Sequence, residues 1–435
     1  MSFDQVDGAI LSRNEPNNDE TNSQIGNDEN KESTKCKRML NKISKNFWGL
    51  PVLRRVPESD HDRAFDCLIA VVSLCLCLGE VVLEGMLLYE YHMNGQHLQF
   101  SLTLGVIVIT GIVVGIFTTS WACIALKQRR DLAEEREPSL NDTAGIDNSS
   151  RMTSPSSNKV LWSCRISSSF LQFGRAFRLA EYIYNMHQGW KSKRKDEGRI
   201  KRAEVELRDA SILGLIEGYL ETSLKLLLQL YLRFDTDFVT RTRDLFLVVA
   251  LASISASVTS CYMTNRKLNH GRQSATSRAY AAYVLMRLFE LGPRLILLVL
   301  CIKFVRWWTL VGVGLHLVLM IAFNTCYVDP ENNDMCCRHG GNCFFSLFVS
   351  YVEIYSFINM NKDESKRTAV IYYIIFYLEN ALMMSLVLGL TSSGSVPCMT
   401  SCKFAFSAIP GFVFHVLLLS LYYNCLHSTR NRGDV

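Results

Sequence analysis

Long apolar runs recur from residue 64 to residue 426, separated by short basic loops, and this pattern leaves few folds open. A helix needs about 20 mostly apolar residues to cross the roughly 30 Å of bilayer hydrocarbon. Stretches such as 102–126 and 280–302 meet that length, which buried helices of soluble proteins seldom do repeatedly. Totals alone would not decide the matter. The 435 residues could make two or three soluble domains, and 49% hydrophobic content lies at the top of the ordinary range. The expected fold class is therefore an all-α polytopic membrane protein.

Three regions follow from composition. Residues 1–63 are polar; 1–34 are rich in Asn, Asp, Glu and Ser and read as a disordered tail. The stretch from Lys35 to Arg63 turns basic around Phe47 and Trp48, which suits either an anionic membrane surface or a simple positive-inside anchor. A helical membrane domain is expected over 64–428, with a flexible cytosolic insertion at 127–160 and a short tail at 429–435. No cleavable signal peptide is read at the start, so the first span is expected to target the chain.

Loop charge gives a topology, since Lys and Arg near span ends stay on the cytosolic side. Spans are expected at about 64–91, 100–126, 210–233, 244–263, 280–303, 307–328, 368–390 and 404–426. Two stretches, 161–187 and 343–360, have both ends on the cytosolic side and read as re-entrant or partial helices. The sum is about eight transmembrane helices plus two partial ones, with both termini cytosolic. The placement of the partial helices hints at two related halves.

Ionisable residues inside the apolar runs carry the most information. Asp66, Glu80 and Glu84 lie in the first expected span; Glu217, Glu221, Lys225 and Gln229 follow one another at four-residue steps. Arg287, Glu290 and Arg294 share a face of a later helix, and Glu379-Asn380 interrupts another. A charge at mid-bilayer costs about 2.5–3.5 kcal/mol even on the insertion scale, so these groups must pair or line a hydrated path. Two readings fit. Residues at i, i+4 and i+8 form one stripe, which serves either as an ion-pair network locking helices together or as a polar furrow for headgroups or ions. Asp66 also suits a snorkelling position near the interface.

Catalytic and redox motifs are missing: there is no GxSxG, P-loop or HExxH, and no cofactor or nucleic acid is expected. Many of the fifteen cysteines, among them Cys67, Cys75, Cys77, Cys123 and Cys301, sit in apolar runs as small hydrophobes. Cys336, Cys337, His339 and Cys343 lack the spacing of a structural zinc site; Cys336 and Cys337 are as compatible with palmitoylation or plain thiols. Cys398 and Cys402 fall in an expected outer loop, where they could pair.

The run from Asp209 to Leu232, DASILGLIEGYLETSLKLLLQLYL, resembles the hallmark helix of the XK-related membrane protein family, with its leading Asp, E-x-x-x-E pair and Gln-Leu-rich end. Glu80 and Glu84, Ser120-Trp121, Gly292-Pro293-Arg294, Phe357-Ile358-Asn359 and Tyr422-Tyr423 with Leu426-His427 extend the resemblance over residues 60–428. One departure stands out: Ser223-Leu224-Lys225 replaces the Ala-Pro-Gln of many members, removing a helix-bending proline and adding a charge. The resemblance implies eight spans with two membrane-embedded partial helices. It also implies one of two functions. Several members are phospholipid scramblases that expose phosphatidylserine after an executioner caspase cuts a terminal tail; others do not scramble and work with partner proteins.

The tail bears on that choice. Asp4-Gln5-Val6-Asp7 followed by Gly8 fits executioner caspase preference, in a segment accessible to proteases. The expected function is an ATP-independent phospholipid scramblase of the plasma membrane, without enzymatic chemistry. Glu80, Glu84, Glu217, Glu221, Arg287, Glu290 and Arg294 would line or support its route. The rival is a non-scrambling scaffold that binds a single-span partner or a lipid-transfer protein.

Overall fold

The computed structural model describes residues 60–134, 164–165, 167–168, 173–191, 197–235, 240–270, 277–324, 340–358, 366–392 and 398–423, with side chains placed for most of them. The tail with Asp4, Asp7 and Gly8, most of the insertion, and the Cys336-Cys337 pair lie outside the described residues. The chain divides into two units, residues 1–51 with 334–345 and residues 52–333 with 346–435. Only 340–345 of the first unit are described, and they are helical. The second unit holds the packed helices.

Described secondary structure is helical, with no strand among the described residues. Helix α1 (Asp60–Met93) turns at Gly95, where φ is +67°, into α2 (His97–Glu134). Next come α3 (Gly174–Lys191) and α4 (Glu197–Glu217), which runs through a π-helical segment, Gly218–Thr222, into α5 (Ser223–Asp235). Helices α6 (Arg241–His270) and α7 (Ser277–Val305) follow. A single turn at Arg306, with φ +52°, joins α7 to α8 (Trp307–Phe323). Then come α9 (Gly340–Glu353), α10 (Lys366–Ser392) and α11 (Cys398–Leu421).

Polarity is distributed inside out. Arg243 and Glu290 are fully buried, while Leu315 and Leu378 are each 66% exposed. Outward rows of large apolar residues mark α1 (Leu68, Val72, Val82, Met86), α8 (Val311, Leu315, Val318) and α10 (Val370, Ile374, Leu378, Leu382). Water would penalise such continuous apolar faces, whereas lipid tails accept them. Four helical segments are long and apolar enough to cross a membrane: Arg63–Met93, His97–Thr119, Arg241–Asn265 and Thr368–Leu390. Trp307–Phe323 and Ala405–Leu421 are shorter apolar helices. The two remaining expected spans, α4 through α5 and α7, carry several buried charges each.

Packing places α7 at the centre, against α6, α10, α11, α5 and α8. A second group joins α1, α3, α4 and α6. Its core is Ala70 with Leu179, Tyr182, Met186, Ile200, Ala203 and Ala210. Pro293 lies inside α7, where it removes a backbone donor. Its ring lies so close to Gly411 of α11 that a Cβ there would meet it.

Several elements differ from the sequence expectation. The stretch expected as partial at 161–187 forms its long helix later, at α3. The helix expected from 404 begins at 398, so Cys398 and Cys402 stand in its first turns rather than in a loop. Their side chains are outside the described residues. The stretch 343–360 ends its helix at Glu353 and continues through a turn to extended residues 356–358.

Candidate functional site

The π segment sets the geometry of the first charged region. In it the Ser223 backbone N–H donates to the Gly218 carbonyl, a five-residue reach that inserts an extra residue into the helix and shifts its register. The Tyr219 carbonyl accepts from Ser223 Oγ and, at 3.0 Å, from the Tyr351 hydroxyl. Glu217 precedes this displacement and Glu221 lies within it, both buried. They do not stand on a single uninterrupted α-helical stripe, which is what four-residue spacing alone suggests.

Four carboxylates gather here. Lys225 Nζ lies 2.6 Å from Glu221 Oε1, one turn away, and 2.6 Å from Glu84 Oε1 on α1. Glu80, one turn before Glu84, accepts from the Thr222 and Ser253 hydroxyls. Glu217 feels the charge of Arg175 on α3 and accepts from the Arg175 backbone N–H. The Arg175 guanidinium rests on Gly214, where an added Cβ would stand 2.8 Å from Arg175 Nε. One Glu217 oxygen, Oε1, is buried and has no hydrogen-bond partner among the described residues. The region thus sets four buried acids against Lys225 and Arg175.

Polar groups continue from this cluster in both directions. Towards the end of α5, Gln229 donates to Thr103 Oγ1 at 2.9 Å and accepts from the Tyr91 hydroxyl at 2.7 Å. Arg243 donates to that hydroxyl at 3.1 Å and to the Leu232 carbonyl at 3.3 Å. In the opposite direction, Arg178 lies 3.2 Å from Asp209 and 3.7 Å from Glu206, and Arg165 lies 2.6 Å from Glu206 and 2.9 Å from Glu181. Burial pushes the Glu181 carboxyl up, against the pull of Arg165. From Glu206 to Gln229 the polar residues extend along one helix for about 35 Å at 1.5 Å per residue, comparable to the thickness of the hydrocarbon core.

The second region surrounds the broken end of α9. Arg294 donates to the Ile354 carbonyl at 3.0 Å, to Asn380 Oδ1 at 3.0 Å and to Glu379 at 2.6 Å. Glu379 also meets His316 Nδ1 at 2.6 Å. Glu290 accepts from the Phe357 backbone N–H at 3.2 Å and pairs with Arg287 at 2.6 Å; Arg287 also donates to the Tyr283 hydroxyl. The Tyr372 hydroxyl donates to the Glu353 carbonyl at 2.9 Å, while Asn324 donates to the Glu353 carboxylate at 2.7 Å. A helix that stops inside a membrane protein leaves backbone groups that have no water to satisfy them. Here the buried charges supply the partners.

The sequence-derived site residues therefore separate. Glu80, Glu84, Glu217, Glu221 and Lys225 come together, with Gln229 one turn beyond. Arg287, Glu290 and Arg294 belong to the other region. Asp66 is half-buried and lies within electrostatic range of Tyr280, which also feels Arg175. Sequence reasoning missed Tyr91, Thr103, Arg243, His316 and Glu353 as partners. Arg243 reads as a flanking charge at a helix start, and lone histidines in apolar runs give no pattern. No group of three or more His, Cys, Asp or Glu suited to a metal occurs among the described residues.

Outward apolar faces, buried charges and a partial helix held by internal polar partners define an all-α polytopic membrane protein. The family model for XK-related protein matches residues 68–428, so the chain belongs to the XK-related protein family.

Proposed function

We propose that this protein is a phospholipid scramblase that moves lipids between leaflets in either direction without ATP or covalent chemistry. The observation that carries this reading is the line of buried polar groups from Glu206 to Gln229, with its excess of carboxylates at Glu80, Glu84, Glu217 and Glu221. A headgroup crossing a bilayer loses its hydration. Buried acids facing a crevice offer a choline or amine group replacement partners while the acyl chains stay in lipid. A small void of about 10 Å³ lies beside Glu84, Lys225 and Gln229, against Thr103 and Ile107 of α2, and would have to widen to pass a headgroup.

In this reading the protein sits in the plasma membrane with both termini cytosolic, and an executioner caspase cutting after Asp7 switches it on. Replacing Glu221 by Gln should lower lipid transfer severalfold in liposomes carrying fluorescent lipid, at unchanged expression and melting temperature. Equal transfer by both proteins would remove the cluster from the route. For the switch, annexin V staining of scramblase-deficient cells should appear after caspase activation with Asp7 and vanish with Asp7→Ala. Staining absent from both, despite surface expression, would favour a non-scrambling subunit. The outward face of α8, with Trp307, Trp308 and Leu310, suits that second reading as a surface for a single-span partner; a lipid-transfer protein is the other candidate.

A further inference from the structure

Among the described residues, Lys225 meets two of the four acids directly, and it does so from a helix that also lines the small void beside Glu84. Its ammonium, at 2.6 Å from both Glu84 and Glu221, occupies the point where carboxylates of α1 and α5's own helical run converge. Glu80 stands close enough to be felt by both Lys225 and Glu221. Glu217 Oε1 adds a buried acceptor with no hydrogen-bond partner among the described residues, electrostatically coupled to Glu80 and Glu221. A lysine head is a compact cation on a flexible four-carbon stem, able to swing without moving its helix. Acids in excess of cations, one of them with an oxygen that accepts no hydrogen bond among the described residues, suit a second positive group or exchange of the first.

We propose that the Lys225 ammonium is a tethered occupant of a cation site formed by Glu84 and Glu221, with Glu80 and Glu217 behind it, and that the exchanging ligand is the ammonium group of a lipid headgroup. This rests on the scramblase reading for its lipid and on the geometry alone for its cation. While Lys225 stays in place it ties α1 to α5 and blocks the site. A phosphatidylcholine or phosphatidylethanolamine headgroup enters by replacing it. A headgroup with no ammonium, such as that of phosphatidylglycerol, gains nothing from the exchange.

The test compares the intact chain with Lys225→Gln and Lys225→Arg in two assays. In liposomes, Lys225→Gln should speed transfer of fluorescent phosphatidylcholine by about tenfold, the change that ~1.4 kcal/mol off a barrier produces, and leave phosphatidylglycerol unchanged. Lys225→Arg, which keeps a tethered cation, should lack the phosphatidylcholine gain of Lys225→Gln. In detergent, tetramethylammonium chloride should raise the melting temperature of Lys225→Gln above its value in equal sodium chloride, and have no such effect on the intact chain. No tetramethylammonium effect on Lys225→Gln overturns the cation site. A tetramethylammonium effect with equal gains for both lipids means a soluble ammonium site and overturns the headgroup assignment. A tetramethylammonium effect with no lipid transfer by any form removes the scramblase reading while the cation site stands. Should Lys225→Gln not yield folded protein, the same comparison is made with Glu217→Gln in all forms, which removes one acid that Lys225 does not touch.

Discussion

The two charged regions are built from similar residues and are put together differently. Around the end of α9, three acids, Glu290, Glu353 and Glu379, meet Arg287, Arg294, His316 and Asn324, and most of the remaining hydrogen bonds of these arginines and Glu290 go to backbone groups of Ile354 and Phe357 or to Asn380 and Tyr283. Around the π segment, four acids face Lys225 and Arg175, and Glu217 keeps an unsatisfied oxygen. The first arrangement commits its charged groups to backbone and side-chain partners around a broken helix and holds it in place. The second holds four acids against two cations and abuts a small void at Glu84.

Arg294→Ala is the change that should separate the regions most strongly. It strips partners from the Ile354 carbonyl, Asn380 and Glu379 at once. Removing one partner of a buried pair costs about 3–5 kcal/mol, enough to abolish folded protein in many chains of this kind. Size-exclusion profiles of tagged protein should collapse to aggregate for Arg294→Ala, and Arg294→Lys should rescue little, because an ammonium cannot reach three separate acceptors as the guanidinium does. A monodisperse Arg294→Ala protein would show that the α9 end does not depend on this residue.

How much of this was legible in the sequence depended on the range of each interaction. Glu217, Glu221 and Lys225 were visible because ionisable residues inside an apolar run need an explanation, and the helix they share could be inferred from length and composition. The partial helix near residue 350 was visible from loop charge. By contrast, nothing local joins Lys225 to Glu84, 141 residues away, or Arg294 to Glu379, 85 residues away. The π segment was hidden too, since Gly218 to Thr222 carries no proline and reads as ordinary helix. Its existence rests on Tyr351 and Ser223 taking up the displaced Tyr219 carbonyl, which is a tertiary circumstance.

Two glycines sharpen the comparison at smaller cost. A Cβ on Gly411 would collide with the Pro293 ring of α7, whose position is fixed by the helix it belongs to. Overpacking of this kind typically costs ~1–3 kcal/mol. A Cβ on Gly214 would instead meet the Arg175 guanidinium, the far end of a flexible side chain. Gly411→Ala should thus lower the melting temperature clearly, and Gly214→Ala only slightly. Gly214→Ala should nonetheless change lipid transfer, because it moves Arg175 away from Glu217 and leaves the acids less compensated. Equal destabilisation by the two substitutions would mean that Arg175 is as rigidly held as the proline ring.

The smallest effect on stability is expected at Glu217, and it is the most diagnostic. Glutamine keeps the length and one carbonyl acceptor of the side chain but removes one negative charge from a region with too many. The unsatisfied Oε1 has no hydrogen bond to lose, and the repulsion from Glu221 and Glu80 disappears. What is given up is the attraction of Arg175. These contributions oppose each other, so Glu217→Gln should shift stability by less than ~1 kcal/mol, within the ordinary range of a tolerated substitution and towards stabilisation if the repulsion dominates. Glu290→Gln, the same chemical change in the region around α9, should cost ~1.5–3 kcal/mol because it weakens charged hydrogen bonds to Arg287 that nothing else replaces. Thermal melting of the two variants side by side decides the point. If Glu217→Gln loses as much as Glu290→Gln, the carboxylates around the π segment are structural ties like those around α9, and their number is no longer an argument for a path.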